Sequence, residues 1–184
     1  MTTQAPAPPA AHRSRPGPTE HDPYYSRYIE RVPAGMALEM LVAQQEEVPA
    51  LLAGLDDAAA LHRYAPEKWS VKEVVGHLCD VERIFCYRAL RAARADATPL
   101  PGFDENTYVP AGAFDGRSLG SLVAEWKATR AATVAFFDGL AEAAWLRMVE
   151  ANGAPASVRA LAYITAGHTA HHLAVLRERY GLGG

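Results

Sequence analysis

Four long stretches of this chain repeat apolar residues at helical spacing, and no strand–helix–strand alternation lies between them. An apolar residue at every third or fourth position builds one stripe along a helix, and that stripe must be buried against another element. Residues 35–55 carry Leu38, Leu41, Val42, Val48 and Leu52 on such a stripe, with Pro49 expected to kink or weaken the later half. Residues 68–95 place Ser70 and Glu73 at the spacing of a capping box. Residues 118–140 open on a serine and offer Leu119, Leu122, Trp126 and Phe137 to a core. Residues 157–181 put Ser157 at the N-cap and Gly181 at the expected left-handed stop. Four long helices joined by one long crossover connection predict an all-α four-helix bundle.

The crossover is residues 96–117, "DATPLPGFDENTYVPAGAFDGR", and loops of that length inside compact domains are functional or disordered. Its aromatics, Phe103, Tyr108 and Phe114, are expected to pack it down. Between the third and fourth helices the Asn152-Gly153 pair is of the hairpin-turn type and predicts a short β-ribbon. Residues 1–22 are rich in Pro, Ala and Thr and are read as a disordered N-terminal tail, with His12 and His21 solvated. Residues 23–184 then form one helical bundle domain.

A formal net charge of -3 and the lack of any long basic cluster argue against a nucleic-acid partner. No apolar run is long enough to span a membrane, and Met1 to Ala11 has neither the basic nor the apolar region of a signal peptide. Cys79 and Cys86 would lie about 10.5 Å apart along one helix, too far for a disulfide. They are expected as small core residues in a reducing compartment, and the cytoplasm is the expected location.

Three of the seven histidines fall in "GHTAHH", residues 167–172. On a helix His168 and His172 are about 40° apart around the axis and one turn apart along it, so both imidazoles can grip one ion. His171 is turned away from that direction. Leu161, Ile164 and Val175 share the face of His168, which makes it the inward stripe. Histidines buried there need a hydrogen-bond partner or a metal. His77, in "VVGHLCDVERIF", is the candidate third ligand, with Glu73 and Asp80 as acceptors that would orient it. Asp80 and Glu82 are alternatively solvated or paired with Arg83 and Arg88. His62 is read as a solvated or capping residue. Thr169 stands where a metalloprotease H-E-x-x-H motif has its glutamate, and the paired Glu-x-x-His motifs of di-iron bundles are absent from the sequence. Three imidazoles leave a coordination position open, as in catalytic rather than structural sites.

Together, "YAPEKWSVKEVVGHLCDVERIFCYRALR", "PLPGFDENTYV" and "SVRALAYITAGHTAHHLAVLRERY" resemble the DinB-like (damage-inducible, YfiT-related) metal-dependent bundle superfamily from about Tyr24 to Tyr180. The resemblance implies a four-helix bundle with an atypical crossover and a divalent metal held by His77, His168 and His172. Zinc, nickel and iron(II) all suit imidazole. Relatives include thiol S-transferases and isomerases using bacillithiol, mycothiol or glutathione, and the YfiT-related branch is described as metal-dependent hydrolases. The expected function is therefore a metal-dependent thiol S-transferase acting on small electrophiles in stress or detoxification. A metal-dependent hydrolase and a non-enzymatic metal-stabilised interaction module are the alternatives. A low-molecular-weight thiol is the expected second cofactor, small molecules the expected partners, and a homodimer the expected assembly. The crossover supplies a candidate pocket wall through Asp104, Glu105, Asn106 and Tyr108, unless Asp104 and Asn106 only form turns.

Overall fold

The computed structural model describes residues 14–183. Its helices are α1 (Ser26–Ile29), α2 (Ala37–Leu52), α3 (Val71–Ala93), α4 (Glu105–Gly112), α5 (Leu119–Asp138) and α6 (Val158–Tyr180), with strands β1 (Met148–Ala151) and β2 (Ala154–Ser157) between α5 and α6. The long helices α2, α3, α5 and α6 form the four-helix bundle. Both α2 and α3 pack against α5 and α6, so α2 and α3 face each other diagonally across the core, while α1 lies against α6.

The ends of these helices follow from the residues that cap them. Ser70 accepts from the Glu73 N–H at 3.0 Å while Glu73 accepts from the Ser70 N–H at 2.8 Å, completing the capping box of α3. The Ser118 and Ser157 side chains cap α5 and α6 by accepting from the Ser121 and Ala160 N–H groups, and Gly181 closes α6 at a φ of 71°. Each such cap stabilises its helix by about 1 kcal/mol. Pro49 sits inside α2, which stops at Leu52 rather than continuing to residue 55. The α2 stripe is Leu41, Gln44, Val48 and Leu52; Val42, about 100° off that line, is 51% exposed.

The ribbon forms at the Asn152-Gly153 turn, pairing Met148 with Ser157 through to Ala151 with Ala154. Both turn residues have positive φ (56° and 73°), as the tightest hairpin turns require. The ribbon also anchors the crossover: Leu100 donates to the Glu150 carbonyl and accepts from Asn152, each at 2.9 Å. The crossover is less irregular than its composition suggests. Asp104 caps α4 by accepting from the Asn106 N–H at 2.9 Å, and Phe114 is buried.

Residues 1–13 of the expected tail lie outside the described residues; within residues 14–22, Arg15, Pro18 and Thr19 are exposed, but Pro16 and His21 are buried and polar contacts fasten the segment. Arg15 donates to the Val32 carbonyl at 2.8 Å, His21 is 7% exposed, and the Glu20 carboxylate holds Ser157 Oγ at 2.8 Å and the Arg159 guanidinium at 2.5 Å. Burial alone would raise the Glu20 carboxyl, but hydrogen bonds from Arg159, Gly17 and Ser157 outweigh it and hold it at about 2.

The core contains one polar cluster that joins all four long helices. Arg130 on α5 grips the Glu82 carboxylate of α3 through two bonds of 2.6 and 2.8 Å. It also donates to the Leu41 carbonyl and Gln44 of α2 and to Thr169 of α6. Gln44 in turn donates to the Ala166 carbonyl at 2.9 Å, so α6 is held on both sides of His168. Glu82 is thus a buried partner of Arg130 rather than a solvated group or a partner of Arg83 or Arg88. Cys79 is buried and Cys86 half-buried, both as free thiols; burial pushes the Cys79 thiol up to about 12. Among the described residues no helix is long and apolar enough to cross a membrane.

Candidate metal centre

Helices α3 and α6 pack side by side, and their contact brings His77 together with His168 and His172. Each of the first two histidines follows a glycine that the packing demands. A Cβ on Gly76 would lie 2.3 Å from the Phe114 ring, and one on Gly167 would lie 2.0 Å from the Tyr28 carbonyl oxygen. The small residues let Phe114 and α1 close on the helices beside the ligand positions.

The three imidazoles meet through the same atom. His77 Nε2 and His172 Nε2 lie 3.1 and 3.2 Å from His168 Nε2. Nitrogens bound at about 2.0–2.1 Å to one tetrahedral ion would be roughly 3.3 Å apart. A neutral imidazole nitrogen without a proton has one lone pair, so His168 Nε2 cannot accept from both neighbours in good geometry. A cation accepting three lone pairs satisfies all of them. The donor set therefore fits a divalent metal, and these are the residues that could hold it.

Electrostatics point the same way. Burial, with the His171 charge as a smaller cause, pushes His77 down to about 4. Burial and the neighbouring imidazoles hold His168 and His172 well below the usual histidine range. All three rings are neutral at pH 7, the form in which imidazole binds metal. They are oriented by aromatic packing: Trp69 lies 4.7 Å from His77, and Tyr28 and Phe85 lie 5.3 and 6.0 Å from His168, centroid to centroid. Glu73 and Asp80 do not serve this purpose. Glu73 is committed to Ser70 and Arg63, and Asp80 faces Arg83 at 3.8 Å.

The triad forms the floor of a cavity of about 510 Å³. Helix α1 and the turn before it form one wall through Tyr24, Tyr25, Arg27 and Tyr28; α3 forms another; Phe103, Glu105 and Asn152 contribute from the crossover and ribbon. His171 borders this cavity without joining the triad, its ring 5.6 Å from that of Tyr28. Of the crossover candidates, Glu105 reaches the main cavity and Asn106 borders a smaller neighbour of about 280 Å³ shared with Trp69 and His172. Asp104 is spent on the α4 cap, and Tyr108 packs on Phe103 with half its surface exposed; neither borders the two cavities beside the triad. His62 is exposed at the end of a short 3-10 turn. Neither the tyrosine-rich α1 wall nor Arg88 is read as a site residue from the sequence, although the clustering of Tyr24, Tyr25 and Tyr28 in "DPYYSRY" is a sequence signal for an aromatic wall.

The DinB superfamily model matches residues 40–176. Among solved structures, the chain is similar to YfiT from Bacillus subtilis, described as a probable metal-dependent hydrolase with an unusual four-helix bundle topology. The TM-score is 0.64 at 16% identity, over 92% of this chain and 94% of that one. It is also similar to a mycothiol-dependent maleylpyruvate isomerase, with a TM-score of 0.65 at 15% identity, over 79% of this chain and 61% of that one. No curated protein matches the sequence.

Proposed function

This chain belongs to the DinB superfamily, and we propose that it is a divalent-metal-dependent enzyme that uses a low-molecular-weight thiol to attack small electrophiles. One observation carries the reading: three Nε2 atoms converge at the floor of a cavity large enough for a drug-sized ligand. A divalent ion held there would lower the pKa of a thiol in its open position and favour the thiolate.

The chain's own residues supply the rest of the setting. Trp69, Tyr28 and Phe85 pack around the imidazoles and line the cavity beside them. Among the described residues no carboxylate hydrogen-bonds any of the three histidines, and the carboxylates that border the cavity, Asp22 and Glu105, are the candidates for a general base. A thiol needs no such base once its pKa is lowered, whereas water attack gains from one. The likeness to a mycothiol-dependent isomerase supports the thiol reading. The likeness to YfiT supports a hydrolytic alternative, which the same preparation can test.

The experiment compares metal-loaded and chelator-stripped protein for conjugation of a panel of low-molecular-weight thiols to a model electrophile, with an activated ester as the hydrolytic control. Metal-dependent loss of the thiol with formation of the conjugate is expected. Metal-dependent ester cleavage without conjugation would replace the thiol reading by the hydrolytic one. Metal-loaded protein inert in both assays would leave a metal-stabilised module.

A further inference from the structure

Three lysine or arginine side chains are buried among the described residues, and one differs from the others. Lys72, 3% exposed, lies 3.2 Å from the Asp57 carboxylate, and Arg130, 0% exposed, is gripped by Glu82. Arg88 is 4% exposed and forms no ion pair among the described residues. Its Nη2 donates to the Pro101 carbonyl at 3.0 Å, and its guanidinium lies beside the Tyr25 side chain and 5.7 Å from the Phe103 ring centre. These are neutral partners. Taking a guanidinium out of water without a countercharge is costly, and the usual remedy is a carboxylate or phosphate held by its planar fork.

The location of Arg88 says where that countercharge would come from. It lines the same cavity as the histidine triad. His77, Val81, Phe85 and Arg88 follow one another at intervals of four, four and three residues on one face of α3, and all four border the cavity. Arg88 is eleven residues beyond His77, or roughly 16 Å along the helix axis. Asp22 and Glu105 are the carboxylates on the cavity wall; neither pairs with Arg88, and Asp22 is engaged with the Tyr24 N–H.

We propose that Arg88 is the anchor for a carboxylate at the far end of an elongated thiol ligand whose sulfur reaches the three-histidine centre. The assignment rests on the thiol reading above and narrows it to acid-bearing thiols. The apolar surfaces of Val81 and Phe85 lie along the path between the two ends, so the middle of the ligand is favoured to be uncharged.

The test titrates cobalt-loaded protein with ω-mercaptoalkanoic acids of increasing chain length and with their primary amides, following the thiolate-to-cobalt absorption. One bidentate charge-assisted contact is expected to favour the best-fitting acid over its amide by about tenfold or more. In Arg88→Gln that preference should vanish while cobalt content and amide binding stay unchanged; Arg88→Lys, which keeps the charge without the fork, should fall between. Equal binding of acid and amide by the wild-type protein would overturn the assignment, and so would a preference that survives in Arg88→Gln. The wild-type comparison holds even if a variant fails to fold. Protein that takes up no cobalt would refute the metal reading instead. Calorimetry with alkanoic acids and their amides then decides the Arg88 assignment: preference for the acid retains the anchor, and its absence removes it.

Discussion

His168 occupies the centre of the triad, with His77 on one side and His172 on the other. The pair His168 and His172 was legible because four residues on a helix make nearly one turn; His77 was legible because it sits on an apolar stripe of another long helix. Glu73 and Asp80 do not orient His77, because Glu73 serves the capping box at the start of α3 and Asp80 faces a neighbouring arginine. The Arg130–Glu82 pair could have been read from Arg130 continuing the core stripe of Leu122 and Trp126, which demands a buried acid. A pH prediction follows at this scale. The folded value of His77 is about 4 and the ordinary value is 6.5, so between them the unfolded chain holds more protons. Its contribution is fully present above pH 6.5 and is lost as the pH falls to 4, a loss of about 3 kcal/mol for His77 alone. His168 and His172 act in the same direction. Denaturant unfolding of the metal-free protein across that range should show the decline; a flat profile would contradict it.

At the scale of the elements, the four long helices and the ribbon were legible because their signals are local: serine caps, a terminal glycine, an Asn-Gly turn and a sustained apolar period. Helix α4 was not, because it is eight residues long, contains Pro110 and buries only Val109. Its apolar pattern is too short to show a period, and Asp104 and Asn106 read equally well as turn residues. Contacts between elements are also invisible locally, as Gly167 shows. On an exposed helix face, Gly→Ala would stabilise by roughly 1 kcal/mol. Here the new Cβ meets the Tyr28 backbone at 2.0 Å, so α1 must move. Gly167→Ala is therefore expected to destabilise by about 1–3 kcal/mol in denaturant unfolding, with looser seating of the α1 wall. A stabilised variant would show that α1 does not press on α6.

At the scale of the whole molecule, the cavity is assembled from the N-terminal segment, α3, the crossover, the ribbon and α6. Composition misplaced the start of the packed chain because the segment from Ser14 is fastened largely by polar contacts. The Glu20 links to Ser157 and Arg159 tie it to the start of α6, the helix that carries two of the three histidines. Resemblance across separated motifs captured the bundle and the triad, but the walls depend on which distant segments meet. Function at this scale depends on whether the two helices share one ion. The most direct measurement is elemental analysis of the purified wild-type protein beside His77→Ala. One divalent ion per chain in the wild type and a marked loss in the variant are predicted, because removing the α3 ligand leaves only the α6 pair. Equal metal content in the two proteins, or none in the wild type, would contradict a centre built by His77, His168 and His172.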